Sequence, residues 1–334
     1  ELQEAEGNLE QWSLMGVFGR FNYNYKERYL FEANFRYDGS SRFSPKQRWG
    51  FFPSVSASWR MKEEAFMQNV EFLSNLKLRV SWGQLGNQGE ELYPFATQIT
   101  TSDKFAFGNG LSSIATIGDP VHLGLSWEKK TTTNLGIDFG FFDNRLYGSF
   151  DYFFDRTDGI IGRPVVPTTF GAKAPIQNTY TIDNRGYEIE INWRDNIGDF
   201  RYHVGANLSD TRDKIVSLGG IGTYDSKFGS GLVQKDGSTY NAEGHARNSF
   251  YLYRTNGLFV DQAEVDNHAF ISPLTRPGDI VFIDTDGNGK LTSDDKVADN
   301  RTTTPHYIFG INLGAEYKNF DFSIVMNGVG QRWA

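Results

Sequence analysis

Cysteine is absent from the 334 residues, and methionine, histidine and proline are scarce at four, five and ten copies. Without cysteine there is no disulfide scaffold, no thiol nucleophile and no cysteine-held zinc or iron–sulfur site. No apolar run approaches the roughly 18 residues of a membrane-crossing helix, and mean hydropathy is −0.48, so a helical membrane protein is excluded. Basic residues are the minority, 33 against 41 acidic, for a net charge of −8. That balance argues against a nucleic-acid binder, which needs clustered Lys and Arg. Initiator methionine, secretory apolar segment and acyl-anchor cysteine are all missing, so a processed chain or an internal stretch is expected. What is plentiful is aromatic: 28 Phe, 16 Tyr and 7 Trp, beside 36 Gly. A disordered chain is poor in those aromatics. Length alone would permit two or three soluble domains.

The aromatics fall with period two. From Val17 to Tyr25 the odd positions are Val, Gly, Phe, Tyr and Tyr, and the even ones Phe, Arg, Asn and Asn. From Tyr29 to Tyr37 another aromatic-apolar set alternates with Leu30, Glu32, Asn34 and Arg36. Successive strand side chains point to opposite faces, so each segment has one apolar and one largely polar face. The pattern recurs at Phe51–Trp59, Leu76–Trp82, Leu135–Phe141, Leu146–Phe154, Tyr187–Trp193, Phe200–Leu208, Tyr307–Tyr317 and Phe320–Met326, giving ten strands. Most approach the 9–11 or so residues with which a tilted strand crosses a bilayer.

The connections alternate short and long. Short ones are Lys26–Arg28, Met61–Asn75, Phe142–Arg145, Arg194–Asp199 and Lys318–Asn319, with helical turns expected between Glu63 and Asn69. Long ones are Asp38–Gly50, Gly83–Thr133, Asp155–Asn184 and Ser209–Thr304. Membrane barrels place every long loop at one end, whereas soluble sandwiches have no reason to. Arg, Asp and Glu in mid-strand suit a wet lumen better than a dry core. The fold class expected is therefore all-β, an antiparallel transmembrane barrel wall. The alternative is a secreted calcium-binding β-sandwich, serving as an adhesin or carbohydrate-binding module.

Several blocks resemble the SusC/RagA family of TonB-linked outer-membrane proteins. They are Arg28–Phe43 (RYLFEANFRYDGSSRF), Phe51–Arg60, Leu76–Gln88, Trp127–Leu146, Asn184–Trp193, Pro277–Leu291 and Tyr317–Ile324, spread over nearly the whole chain. The resemblance implies a barrel of about 22 strands, an N-terminal plug and a SusD-like surface lipoprotein as lid. It also implies import of oligosaccharides or peptides across the outer membrane of a Gram-negative bacterium, driven through TonB. Neither plug nor TonB box is found here, so residues 1–334 are read as an internal part of the barrel, supplying wall and loops.

One motif is sharp. Residues 284–295, DTDGNGKLTSDD, match the calcium loop of an EF-hand. Asp284, Asp286 and Asn288 take its positions 1, 3 and 5, with Gly289 at the turn. Lys290 would offer its carbonyl, Thr292 stands at position 9 and Asp295 at 12. Asp279–Ile283 reads as a strand, so the expectation is a structural Ca²⁺ clip rather than a sensor between helices. A metal-free turn held by Asx hydrogen bonds is the plainer reading. The clip would order a 96-residue extracellular loop, Ser209–Thr304, with little apolar content. Residues 210–304 hold 14 acidic and 10 basic side chains, half of the net charge of −8.

Nothing marks an enzyme. The histidines His122, His203, His245, His268 and His306 lack i+3 or i+4 partners. Glu188 and Glu190 share a strand face and read as lumen lining rather than a glycosidase pair. The Gly-rich runs at 219–222 and 229–231 follow no expected strand and open no helix, so they read as loops rather than phosphate cradles. For substrate contact, the long loops offer aromatic side chains at Tyr93, Phe95, Trp127, Tyr224 and Phe228, among others. Such rings stack on sugars and dock peptides, and they also pack loop on loop.

Overall fold

Period-two alternation makes each segment a ribbon with unlike faces, and the structure joins ten of them edge to edge. The computed structural model describes residues 9–333 apart from 90, 102–103, 108–109, 165, 167, 221–222, 225–231 and 270. The strands are β1 (Leu14–Tyr25), β2 (Tyr29–Ser40), β3 (Trp49–Arg60), β4 (Leu73–Asn87) and β5 (Glu128–Phe141). They continue as β6 (Leu146–Gly162), β7 (Gln177–Ile197), β8 (Phe200–Ser217), β9 (His306–Tyr317) and β10 (Phe320–Gly330). Each pairs antiparallel with its sequence neighbour, so the sheet is an uninterrupted up-and-down meander.

Register carries the apolar face across all ten strands. One row runs Tyr25, Tyr29, Trp59, Leu78, Ile137, Phe150, Ile189, Leu208 and Phe309, ending at Gly328. The polar row of the opposite face runs Lys77, Asp138, Ser149, Glu190, Asn207, Gly310 and Asn327. A slip of one residue anywhere would put charge among the aromatics, so the alternation itself fixes the register. Most of the apolar face stays open, with Phe21, Phe31, Phe35, Val80, Leu135 and Tyr152 all exposed. Among the described residues no second sheet covers it, which overturns the sandwich alternative.

The short connections lie at one end as expected. At Lys26–Glu27 and at Phe142–Asn144 consecutive residues take positive φ, the hand that suits tight hairpins. Met61–Glu63 and Ala65–Met67 form single 3₁₀ turns. Two expectations need correction. The strands outrun their alternation: β7 has 21 residues and β8 has 18, because beyond the aromatic zone charged and apolar residues no longer keep to separate faces while backbone pairing continues. The longest loop is also not apolar-poor, since it folds a five-stranded sheet of its own. Its strands are Thr223–Tyr224, Leu232–Asp236, Thr239–Ala242, Ser249–Leu252 and Val297–Asp299, around buried Val233, Tyr240, Ala242 and Tyr251. A second small core, Phe43, Phe52, Leu125, Trp127 and Ile176, ties the other long loops to the top of β3.

Candidate functional site

Three regions carry chemistry: the polar face of the wall, the carboxylate loop and the aromatic loop residues. On the polar face, Arg79 of β4 reaches across β5 to β6. Its guanidinium donates to both oxygens of Asp138 at 3.0 Å and to both of Asp151 at 3.0 and 2.9 Å. Paired forks of this kind fix geometry as well as charge. Gly136 lies between the three, and a Cβ there would strike the Arg79 guanidinium. Likewise a Cβ on Gly314 would fall inside the ring of His203, which therefore lies flat against the wall. Glu188 and Glu190 are exposed on this face, and Asn192 donates to Glu190 at 2.9 Å. The face is a wettable lining of paired charges.

In the carboxylate loop, Asp284, Asp286 and Asp295 offer oxygens within 4.8 Å of one another. Local hydrogen bonds curl the chain to bring them there. Asp284 accepts from the amides of Gly287 at 2.7 Å and Gly289 at 2.8 Å, and Asp286 from that of Asn288 at 3.0 Å. The Asn288 side-chain oxygen accepts from the Lys290 amide at 2.8 Å. Gly287 and Gly289 adopt φ of 72° and 76°, a conformation few other residues take. Asp295 is fully buried, and its carboxylate accepts from the amides of Thr285, Asp286 and Thr292. The Thr292 amide, ahead of the other two, holds its carboxyl below the usual carboxylate range. Thr292 also caps the 3₁₀ turn Ser293–Asp295. Upstream, Ile280–Phe282 pairs with Thr255–Leu258, so a strand rather than a helix enters the loop. Three converging carboxylates are hard-oxygen donors of the kind Ca²⁺ takes.

The aromatic residues divide. Trp127 is 7% exposed, packs tilted against Phe43 and edge to face with Phe52, and donates its Nε1–H to the Arg48 carbonyl at 2.9 Å. Its face is spent on loop packing. Tyr93 is half-exposed, donates to the Gln11 carbonyl at 2.7 Å and meets Phe95 edge to face. Tyr224 lies on the short strand paired with Leu232–Val233, and Phe228 lies outside the described residues. Among the described residues of this set, Tyr93 and Phe95 meet each other, while Trp127 packs in the loop core. Sequence reading missed the Arg79 cluster and the bond from Asp210 to His306 at 2.9 Å. The first was visible as out-of-phase charge in mid-strand. The second joins residues 96 apart and had no local signal.

The comparisons agree with this wall. The family model for the TonB dependent receptor-like β-barrel matches residues 4–334. The TonB-dependent receptor SusC of Bacteroides thetaiotaomicron is 33% identical over 97% of the chain, and the TonB-dependent receptor P3 of Formosa agariphila 34% over 95%. The chain spans 32% of the length of each. Among solved structures, the RagAB peptide transporter superposes with a TM-score of 0.76 at 22% identity, over 95% of this chain and 33% of that one. A two-faced meander of ten strands, long loops at one end and a match over nearly every residue lead to one assignment: the chain belongs to the TonB-dependent receptor β-barrel family, in its SusC/RagA group.

Proposed function

We propose that this chain is a wall segment of an outer-membrane importer of oligomeric nutrients, oligosaccharides or peptides, energised through TonB and lidded by a SusD-like lipoprotein. The observation that carries it is the pairing of an open aromatic face with a charged opposite face along one continuous register. Hydrocarbon suits the first face and a wet lumen the second. The peptide arm draws on the transporter to which the fold is similar. An uptake assay tests it: cells bearing the intact barrel should accumulate a labelled oligosaccharide or oligopeptide only while the proton-motive force is maintained. Equal accumulation after uncoupler, or recovery of the protein in the detergent-free soluble fraction, would refute it.

In the same reading the loop 284–295 binds Ca²⁺ through Asp284, Asp286, Asn288, the Lys290 carbonyl and Asp295. Bound metal would neutralise a carboxylate cluster and lock the lower half of the longest loop. Limited proteolysis checks this: chelation should accelerate cleavage between residues 284 and 295, and Asp286→Asn should remove the difference. Identical cleavage of the parent chain with and without chelator would eliminate the metal.

A further inference from the structure

Above the aromatic border the apolar face changes character. Along β6, β7 and β8 the last row with paired aromatics is Tyr152 and Tyr187, next to Asp210. One register step further, about 7 Å along the strand, stand Phe154, Arg185 and Arg212. The step after that holds Arg156, Asp183 and Lys214. The charges are not evenly matched. Arg156 is bound to Asp183 at 2.7 Å, and Arg212 to Asp210 at 3.1 Å. Arg185 and Lys214 are exposed and have no carboxylate in ion-pair range among the described residues. A cationic surplus in a chain of net charge −8 therefore sits on the side of the wall that faces lipid, just past its aromatic edge.

The surplus lines a cleft. Where β9 begins, the Ile215 amide of β8 donates to the His245 carbonyl at 2.8 Å, so the long loop replaces β9 as the neighbour of β8. The opening left there is about 580 Å³, lined by Arg185, Arg212 and Lys214 from the wall and by Asn300, Thr302 and Thr304 from the loop. Its carboxylates are already engaged, Asp183 by Arg156 and Asp213 by Arg247 at 3.1 Å. Three cations with hydroxyl and amide groups opposite, beside Phe154, make a site for a compact dianion carried on an apolar body.

We propose that Arg185, Arg212 and Lys214 bind the phosphate headgroup of an anionic lipid in the leaflet on the long-loop side. The lipid's acyl chains would then lie along the aromatic rows of β6–β8. A bound phosphate would supply the counter-charge that Arg185 and Lys214 lack, and tie the long loop to the membrane surface. The proposal rests on the barrel reading, so its test must separate the two.

The intact barrel, purified in neutral detergent, is titrated with phosphatidic acid or with the matching diacylglycerol and followed by native mass spectrometry. Phosphatidic acid should be retained and diacylglycerol lost. Arg185→Ala/Lys214→Ala should weaken retention about fivefold per cation, roughly 25-fold in all. Arg20→Ala, on the polar face, should leave it unchanged. Equal retention by the double variant, or of both lipids, overturns the site. Inorganic phosphate that competes at the same concentration as phosphatidic acid overturns the lipid assignment in favour of a free anion. A protein lacking the heat-sensitive electrophoretic mobility of a folded barrel fails earlier, at the reading beneath.

Discussion

The ten-stranded wall and the longest loop solve the problem of apolar burial in opposite ways. The wall leaves Phe21, Phe31, Val80 and Leu135 exposed along one face and keeps paired charges on the other. The loop, most of residues 218–305, hides Tyr240 and Ala242 completely and Val233 to 1%. Its largest buried ring, Tyr240, packs edge-on to Tyr251 and bonds His245 at 3.0 Å. The hydrophobic effect organises both, but the wall depends on hydrocarbon supplied from outside, whereas the loop supplies its own partner surface. The wall should therefore fold only with lipid or detergent, and the loop should keep its order wherever water surrounds it.

The comparison can be broken most severely at Tyr240. Tyr240→Ala removes a fully buried aromatic, at a cost of about 3–5 kcal/mol. Hydrogen exchange should show residues 232–252 losing protection while β4–β7 keep theirs; parallel loss in both would mean one cooperative unit. Next comes a matched pair on the wall. Ile137→Arg places charge on the apolar face and should cost about 2–4 kcal/mol, whereas Ser149→Arg on the polar face should cost less than about 1. Denaturant titration in lipid vesicles measures both, and equal costs would erase the distinction between the faces. Arg79→Ala strips the fork from two partly exposed carboxylates and should cost about 2 kcal/mol, with Arg79→Lys recovering only part. The same titration reads it.

The smallest effect is on pH. Arg301, bonded to Asp299 on the edge strand of the loop sheet, holds that carboxyl below its usual range. A lowered folded pKa contributes stability in full above the unfolded value near pH 4, and that contribution disappears as pH falls through the folded one. Exchange at residues 297–301 should thus rise only below about pH 4, with the wall unmoved. A rise between pH 5 and 8 would contradict the assignment.

The wall was legible because its signal is local. Alternation between Val17 and Tyr25 needs no partner to be recognised, and the ten segments so found are the ten strands of the sheet. Their upper ends were not legible: from Arg156 or Arg212 onward, charged and apolar residues no longer keep to separate faces, and hydrogen-bonded pairing leaves no mark on the side-chain pattern. The loop was misjudged for a related reason. Its core is assembled from pieces of two to five residues, too short for any period to show. The carboxylate loop lies between these cases, since its ligand spacing is written within twelve consecutive residues.

What the sequence determined by itself was which residues share a face, because a strand's side chains alternate by covalent geometry alone. It also set the turn of the carboxylate loop, through glycines and side-chain acceptors only a few positions away. Only the tertiary structure decided which strand neighbours which row. That choice brought Arg79 to Asp138 and Asp151, Asp210 to His306, and Trp127 under the loops instead of at their surface. Those contacts join residues 59 to 96 apart, or elements from separate loops, and depend on the lateral pairing of a sheet that no single segment encodes.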